Sequence, residues 1–334
     1  MLRFICSVLV ALFAAILIGP FFVSVPPLTN TVDPVTLGDA DSRFVDVEQL
    51  RIHYKESGHG APAFMLLHGF GASVFTWREV MGEFGERGRT VAYDRPAFGL
   101  TQRPLQWTGA NPYSDTAQSR LAIALLDSLQ INRAVWVANS AGARVAVDVA
   151  LRYPDRVIAL VLVDPAIDSP ARWLQPLLHT PQFEHLGPRL VRKIADRGDD
   201  GIRKAWHDPT RITPDVYAGY RKPLQARDWD KALWDFTLAD RDPGIEKRAS
   251  RLATPTLVIT GADDRIVPTQ HTIDLAARIP GSSLVVLPDC GHVPQEECPE
   301  PFMDAVREFL GTLPTTALDR DEPSRVASPT RIVP

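Results

Sequence analysis

The sequence is short of charge imbalance. Its formal charge is only −4 over 334 residues, and no basic tract stands out, which argues against nucleic acid as a partner. Internal repeats are missing. So are His and Asp clusters with zinc or calcium spacing, and no metal or cofactor is expected. Cysteine is scarce, with three in the chain. Cys6 lies in an apolar run. Cys290 and Cys298 stand eight apart on either side of His292 and read either as two buried thiols or, in an oxidising compartment, as a disulfide.

What is there is a globular chain. Apolar residues make up 45% and charged residues 23%, enough to bury a large core. The exception is Phe4 to Val23, which holds no charge. A helix of about twenty residues spans about 30 Å, the hydrocarbon thickness of a bilayer. The expectation is an amino-terminal transmembrane anchor over residues 1–25, with a cleaved signal peptide as the rival and secretion as its consequence. Arg3 precedes the run and Asp33, Asp39 and Asp41 follow it, so the positive-inside bias places the catalytic domain outside the cytoplasm. The lipid bilayer would then be a partner through residues 4–23.

Residues 26–43, with their prolines, read as a linker. From about residue 44 short apolar runs alternate with helical patterns: Phe64 to Leu67, a helix over Phe75 to Phe84, Thr90 to Tyr93, Asp115 to Leu129, Val135 to Ala138, Ala141 to Tyr153 and Val157 to Val163. That alternation predicts an α/β fold with a mainly parallel sheet covered by helices. It breaks over residues 167–250, read as a helical cap after strand 6, and resumes over 251–312 with strands at Thr256 to Thr260 and Ser283 to Leu287 and helices at Thr269 to Arg278 and Pro301 to Leu310. The core is thus 44–166 plus 251–312. Residues 313–334 are polar and expected to be disordered.

The chemistry gathers at three strand ends. In VWVANSAGARVAV a strand runs into Ser140 and then a helix, with Ala138 and Gly142 small on either side. Such a turn lifts a hydroxyl over a helix amino terminus, where developing negative charge is favoured. An alcohol needs a base, and His292 follows a strand in LPDCGHVPQEECPE. Its orienting acid is expected at Asp264 in LVITGADDRIVP, with Asp263 and Asp164 as fallbacks. Oxyanion donors are expected from the backbone N–H groups of Ala141 and, in LLHGFGAS, Phe70. His68 reads as structural and Glu297 as the start of the last helix.

Together these residues resemble the α/β-hydrolase superfamily over about residues 44 to 312. The order Ser140, Asp264, His292 is the family's nucleophile–acid–histidine order. The run His68 to Gly71 is similar to its oxyanion loop, and YDRPAFGLT to a further family segment in which Ala97 stands where glycine is more usual. The resemblance implies an eight-stranded sheet with a cap after strand 6, no metal, and a serine hydrolase forming an acyl-enzyme. With its apolar start the chain looks like membrane-anchored bacterial members. A carboxylic ester, hydrophobic or lipid-like, is the default small-molecule substrate. C–C bond hydrolases and peptidases share the triad, and a non-catalytic tethered binding protein is the contrasting class. Cap residues Trp173, Leu174, Trp206, Tyr217, Tyr220, Trp229 and Trp234 either line a pocket or pack the cap. Arg172, Arg189 and Arg203 are candidates to meet a substrate carboxylate.

Overall fold

A computed structural model describes residues 2–167, 175–242 and 244–318. Eight strands form one sheet: β1 (Arg43–Val47), β2 (Leu50–Ser57), β3 (Ala63–Leu67), β4 (Thr90–Tyr93), β5 (Ala134–Asn139), β6 (Val157–Val163), β7 (Thr256–Gly261) and β8 (Ser283–Leu287). Their order is β1-β2-β4-β3-β5-β6-β7-β8. The pairs β1–β2 and β2–β4 are antiparallel, and every later pair is parallel.

Every residue of β3, β4, β5, β6 and β7 is buried. That is why these strands read as unbroken apolar runs: helices cover both faces, so neither can be polar. The helices begin with α1 (Leu2–Ile18), α2 (Met81–Arg87), α3 (Asp115–Ser128) and α4 (Gly142–Arg152). The insertion between β6 and β7 holds α5 (Gln175–Leu178), α6 (Pro181–Ala195), α7 (Gly198–Ala205), α8 (Pro214–Arg221), α9 (Trp229–Leu238) and α10 (Ile245–Arg248). Then come α11 (Thr269–Arg278), α12 (Pro294–Glu297), α13 (Pro299–Thr312) and α14 (Thr315–Leu318). Leu121, Leu125, Val145, Val149 and Leu275 pack one sheet face through α3, α4 and α11. Trp77, Phe84, Phe302, Val306 and Phe309 pack the other through α2 and α13. This is the eight-stranded, mainly parallel sheet with a cap after strand 6 that the sequence predicts.

The amino terminus differs from expectation. No helix among the described residues is long and apolar enough to cross a membrane. The helix α1 has 17 residues, about 26 Å at the usual rise and short of a hydrocarbon core of about 30 Å. Gly19 and Pro20 end it in a 3-10 turn, Gly19–Phe22. The chain then lies along α6: Gln182 Nε2 donates to the Leu17 carbonyl at 3.0 Å, Arg189 Nη1 to Ser24 at 3.2 Å and Arg192 Nη1 to Pro26 at 2.8 Å. The transmembrane anchor over residues 4–23 is therefore corrected. With it go the bilayer partner, the single-pass membrane localisation, and the likeness to membrane-anchored members.

Two smaller differences concern boundaries. The segment 26–43 bridges to the cap, with Val32 N–H donating to the Gln225 carbonyl at 2.9 Å and Arg227 N–H to Val32 at 2.8 Å. One helix expected over Phe75 to Phe84 is split, because Ser73 caps a 3-10 turn at Val74–Trp77 and α2 starts afresh at Met81. Of the expected tail, residues 319–334 lie outside the described residues.

Candidate active site

Strand β5 delivers Asn139 and Ser140 to the carboxyl edge of the sheet. Ser140 has φ +52, a left-handed conformation that costs an L-residue about 1–2 kcal/mol. Three backbone hydrogen bonds hold it there. Its N–H donates to Val163 at 2.8 Å, and its carbonyl accepts from Ala143 at 3.0 Å and Ala166 at 3.1 Å. The elbow needs small neighbours: a Cβ at Gly142 would lie 2.7 Å from the carbonyl oxygens of Leu67 and His68. Ala138, the other flank, is fully buried in the sheet.

On the far side of β6, β7 ends at Gly261 and leads to Asp264. Its Oδ1 accepts from the N–H groups of Ile266 and Val267 at 2.7 and 2.9 Å. That fixes the carboxylate and leaves Oδ2 for His292 Nδ1, at 2.8 Å. With Nδ1 donating, Nε2 is the free lone pair, which is the tautomer a general base requires. Asp263 is turned away, pairing with His207 Nδ1 at 2.9 Å and with Arg265. Both His292 and Asp264 are buried, at 6% and 7% exposure.

The histidine loop is anchored on every side. His292 N–H donates to the Ala205 carbonyl at 2.6 Å. Cys290 and Cys298 are joined in a disulfide that closes the loop around His292. Glu297, read from the sequence only as a helix start, accepts from Gly291, His207 and Asp208 N–H groups at 2.9, 2.8 and 2.8 Å and so clamps cap to loop. Asn139 Nδ2 donates to the His292 carbonyl at 3.1 Å and to Val163 at 3.3 Å. Sequence reasoning missed Asn139 and Glu297, because their partners lie far along the chain. The Ser140 hydroxyl itself makes no hydrogen bond to the His292 ring among the described residues.

The loop after β3 comes up beside the serine. A Cβ at Gly69 would lie 2.9 Å from Ser140 Cβ. Among the described residues neither the Phe70 nor the Ala141 N–H donates to a protein acceptor. His68 beneath them is fully buried. Its Nδ1 donates to Gly69 at 2.7 Å and its Nε2 accepts from Arg95 N–H at 3.0 Å. Burial, then the Arg95 charge, lower its pKa to about 3, so it stays neutral. The Phe70 ring, half exposed, meets Phe98 and Phe236 at centroid distances of 5.6 and 6.0 Å, forming an apolar wall.

The cap is tied over this edge. Tyr220 on α8 donates to Glu296, which also takes Thr76 Oγ1 and Arg78 Nη1, both at 2.5 Å. Trp229 and Trp234 are buried in the packing of the cap, and Trp206 packs at the seam between cap and core with Val293 and Phe75. Arg189 is engaged by Ser24, and Arg203 by the Tyr217 hydroxyl at 3.0 Å. Arg172, Trp173 and Leu174 lie outside the described residues. Two side-chain groups are compact enough to share an ion, Cys290–Glu297–Cys298 and Asp164–Asp264–His292. In the first the sulfurs are bonded to each other, and in the second Asp264 and His292 are hydrogen-bonded.

Comparison with known proteins agrees with this geometry. Residues 64–305 match the alpha/beta hydrolase family. A 2-hydroxy-6-oxononadienedioate/2-hydroxy-6-oxononatrienedioate hydrolase of Burkholderia vietnamiensis is 31% identical, the match covering 85% of this chain and 99% of that protein. A 2-hydroxymuconate semialdehyde hydrolase of a Pseudomonas species is 30% identical over 80% of this chain and 93% of its own. Among solved structures, a thermophilic esterase from Thermogutta terrifontis superposes with a TM-score of 0.68 at 24% identity, covering 82% of this chain and 99% of that one, a likeness of fold alone. The strand order, the serine elbow and the buried Asp264–His292 pair make this chain a serine-hydrolase-type enzyme, and it belongs to the alpha/beta hydrolase family.

Proposed function

We propose that the enzyme hydrolyses a C–C bond beside a ketone in a hydroxy-oxo-dienoate-type compound, with Ser140 as nucleophile, His292 as base and Asp264 as the orienting acid. The observation that carries this reading is the 31% identity across 99% of a relative named for that reaction, with the elbow and the acid–base pair present here. The carboxylic ester taken as default from sequence ranks second. A serine triad serves acyl–oxygen and acyl–carbon bonds alike, and the compounds for which these relatives are named hold no ester bond, which supports the latter.

In this reading the Ser140 hydroxyl adds to the ketone carbon while His292 Nε2 takes its proton, and the Asp264 carboxylate faces the resulting imidazolium. The Phe70 and Ala141 N–H groups receive the oxyanion. For the bond to the neighbouring carbon to break, the dienol first passes its 2-hydroxyl proton to that carbon and becomes a 2-oxo compound; the electron pair then runs through the remaining double bond to the 2-oxo oxygen, and His292 supplies the proton that oxygen needs. Water next splits the acyl-enzyme, releasing a carboxylic acid and freeing Ser140. Substrate arrival brings serine and imidazole into hydrogen-bonding contact, as unliganded sites are commonly looser than the reacting complex.

The test is a substrate panel with 2-hydroxy-6-oxo-6-phenylhexa-2,4-dienoate, p-nitrophenyl acetate and p-nitrophenyl butyrate, with S140A as control. A kcat/KM for the dienoate at least about tenfold above both esters supports C–C cleavage, a difference of about 1.4 kcal/mol in transition-state stabilisation. Faster turnover of the esters overturns that choice and returns the ester reading.

A further inference from the structure

Asp164 ends β6 directly behind the acid–base pair. It is fully buried, with φ +43, and its N–H donates to the Ile259 carbonyl at 2.8 Å. Its Oδ1 is satisfied by Thr260 Oγ1 at 2.7 Å and by Gly261 N–H at 3.1 Å. Its Oδ2 is buried and meets no donor among the described residues. Meanwhile a carboxylate oxygen of Asp164, one of Asp264 and a ring nitrogen of His292 all lie within 4.8 Å of one another. The donors around Asp264 are already accounted for: Ile266 and Val267 on Oδ1 and His292 on Oδ2. Two bare carboxylates that close, both buried, repel strongly. One proton on the pair removes the repulsion and turns an orphan acceptor into a donor. Burial, then the negative charge of Asp264, push the Asp164 carboxyl well above the ordinary range.

We infer that Asp164 is a neutral carboxylic acid whose proton is donated to Asp264, that it holds that carboxylate behind His292, and that it becomes the imidazole's partner when Asp264 is neutralised. The inference rests on reading Asp264 and His292 as the acid and base of the site. Asp164 is a positioning residue: it acts through Asp264 and touches neither substrate nor nucleophile. Loss of the Asp264 charge removes the repulsion that kept Asp164 protonated, so its ionised form can then face the imidazolium. The sequence reads Asp164 as a fallback acid. The structure gives it anchoring bonds on Oδ1 and a carboxylate oxygen within 4.8 Å of both Asp264 and His292.

The experiment compares wild type, D164N, D264N and D164N/D264N by the rate at which a fluorophosphonate labels the enzyme, a readout that needs no knowledge of the substrate. Asn at position 164 keeps a donor toward Asp264 but not a second acid, so D164N should label more slowly than wild type and faster than the double variant, and it is the background against which the double variant is read. Without any acid behind the histidine a triad loses about 10⁴ in rate. The double variant should show that loss, whereas D264N should retain about 100-fold more reactivity than the double. Infrared spectra at neutral pH give a second readout: a protonated-carboxyl C=O band in wild type that is absent from D164N. Equal inactivity of D264N and the double variant would overturn the takeover. A spectrum unchanged between wild type and D164N would overturn the shared proton. The band does not depend on turnover, so a failure of Ser140 as nucleophile would leave it in place and be recognised separately.

Discussion

The side-chain amide of Asn139 donates to the carbonyl oxygen of His292 at 3.1 Å, across 153 positions of sequence. The residue before the serine thus carries the loop that bears the base. Asn139→Ala removes a donor from two buried carbonyls, Val163 and His292, at a cost of about 1–3 kcal/mol. Activity should fall further than stability implies, because catalysis is sensitive to a displacement of about 1 Å, worth about 100-fold in rate. Steady-state kinetics on N139A should show kcat reduced at least about tenfold with KM changed far less. Unchanged kcat would mean that the tie is not used.

The Cys290–Cys298 bond closes a short loop around the base. By loop-closure entropy such a cross-link stabilises by about 2–3 kcal/mol. C290S/C298S should therefore unfold at lower denaturant by that amount, and dithiothreitol should reproduce the loss in wild type only. Equal denaturation midpoints for wild type and variant would contradict the prediction.

Ala97 occupies φ +77, where a Cβ is strained. Relief of about 1–2 kcal/mol on replacement by glycine is partly offset by about 0.4–1 kcal/mol of unfolded-chain entropy. Ala97→Gly should stabilise by roughly 0.5–1 kcal/mol in urea titration, and a destabilised variant would show that the methyl packs more usefully than its backbone suggests.

Asp235 on α9 has its pKa raised to about 6 by burial and then by the nearby charge of Glu184. Its folded pKa lies above the unfolded one, so its contribution to stability is complete below about pH 4. That contribution is lost as pH rises through about 6. Asp235→Asn should therefore stabilise the fold at pH 7 to 8 by about 1–2 kcal/mol after solvent screening, seen as a higher melting temperature, and leave stability unchanged near pH 4. Thermal melts at the two pH values decide it, and an equal effect at both would exclude the charge as cause.

The core of the fold was legible because its signals are local. Thr90 to Tyr93, Val157 to Val163, Thr269 to Arg278 and Ser283 to Leu287 read from sequence coincide with β4, β6, α11 and β8. A buried parallel strand is an apolar run whatever surrounds it. The strand-end positions of Ser140, Asp264 and His292 were legible for the same reason. The amino terminus was not. Composition alone suggested a membrane, whereas Gly19 and Pro20 cut the helix short and the partners of the following residues sit on α6, more than 150 positions away. The proximity of Asp164 to Asp264 and the closing of the Cys290–Cys298 bond are also facts of distance in space, which no spacing along the chain encodes.

The whole account turns on where a covalent adduct forms. Wild-type protein treated with a fluorophosphonate and analysed by peptide mass spectrometry should carry one label, on Ser140, and H292A should carry far less. A label found on any other residue, or full turnover by S140A, would contradict the account.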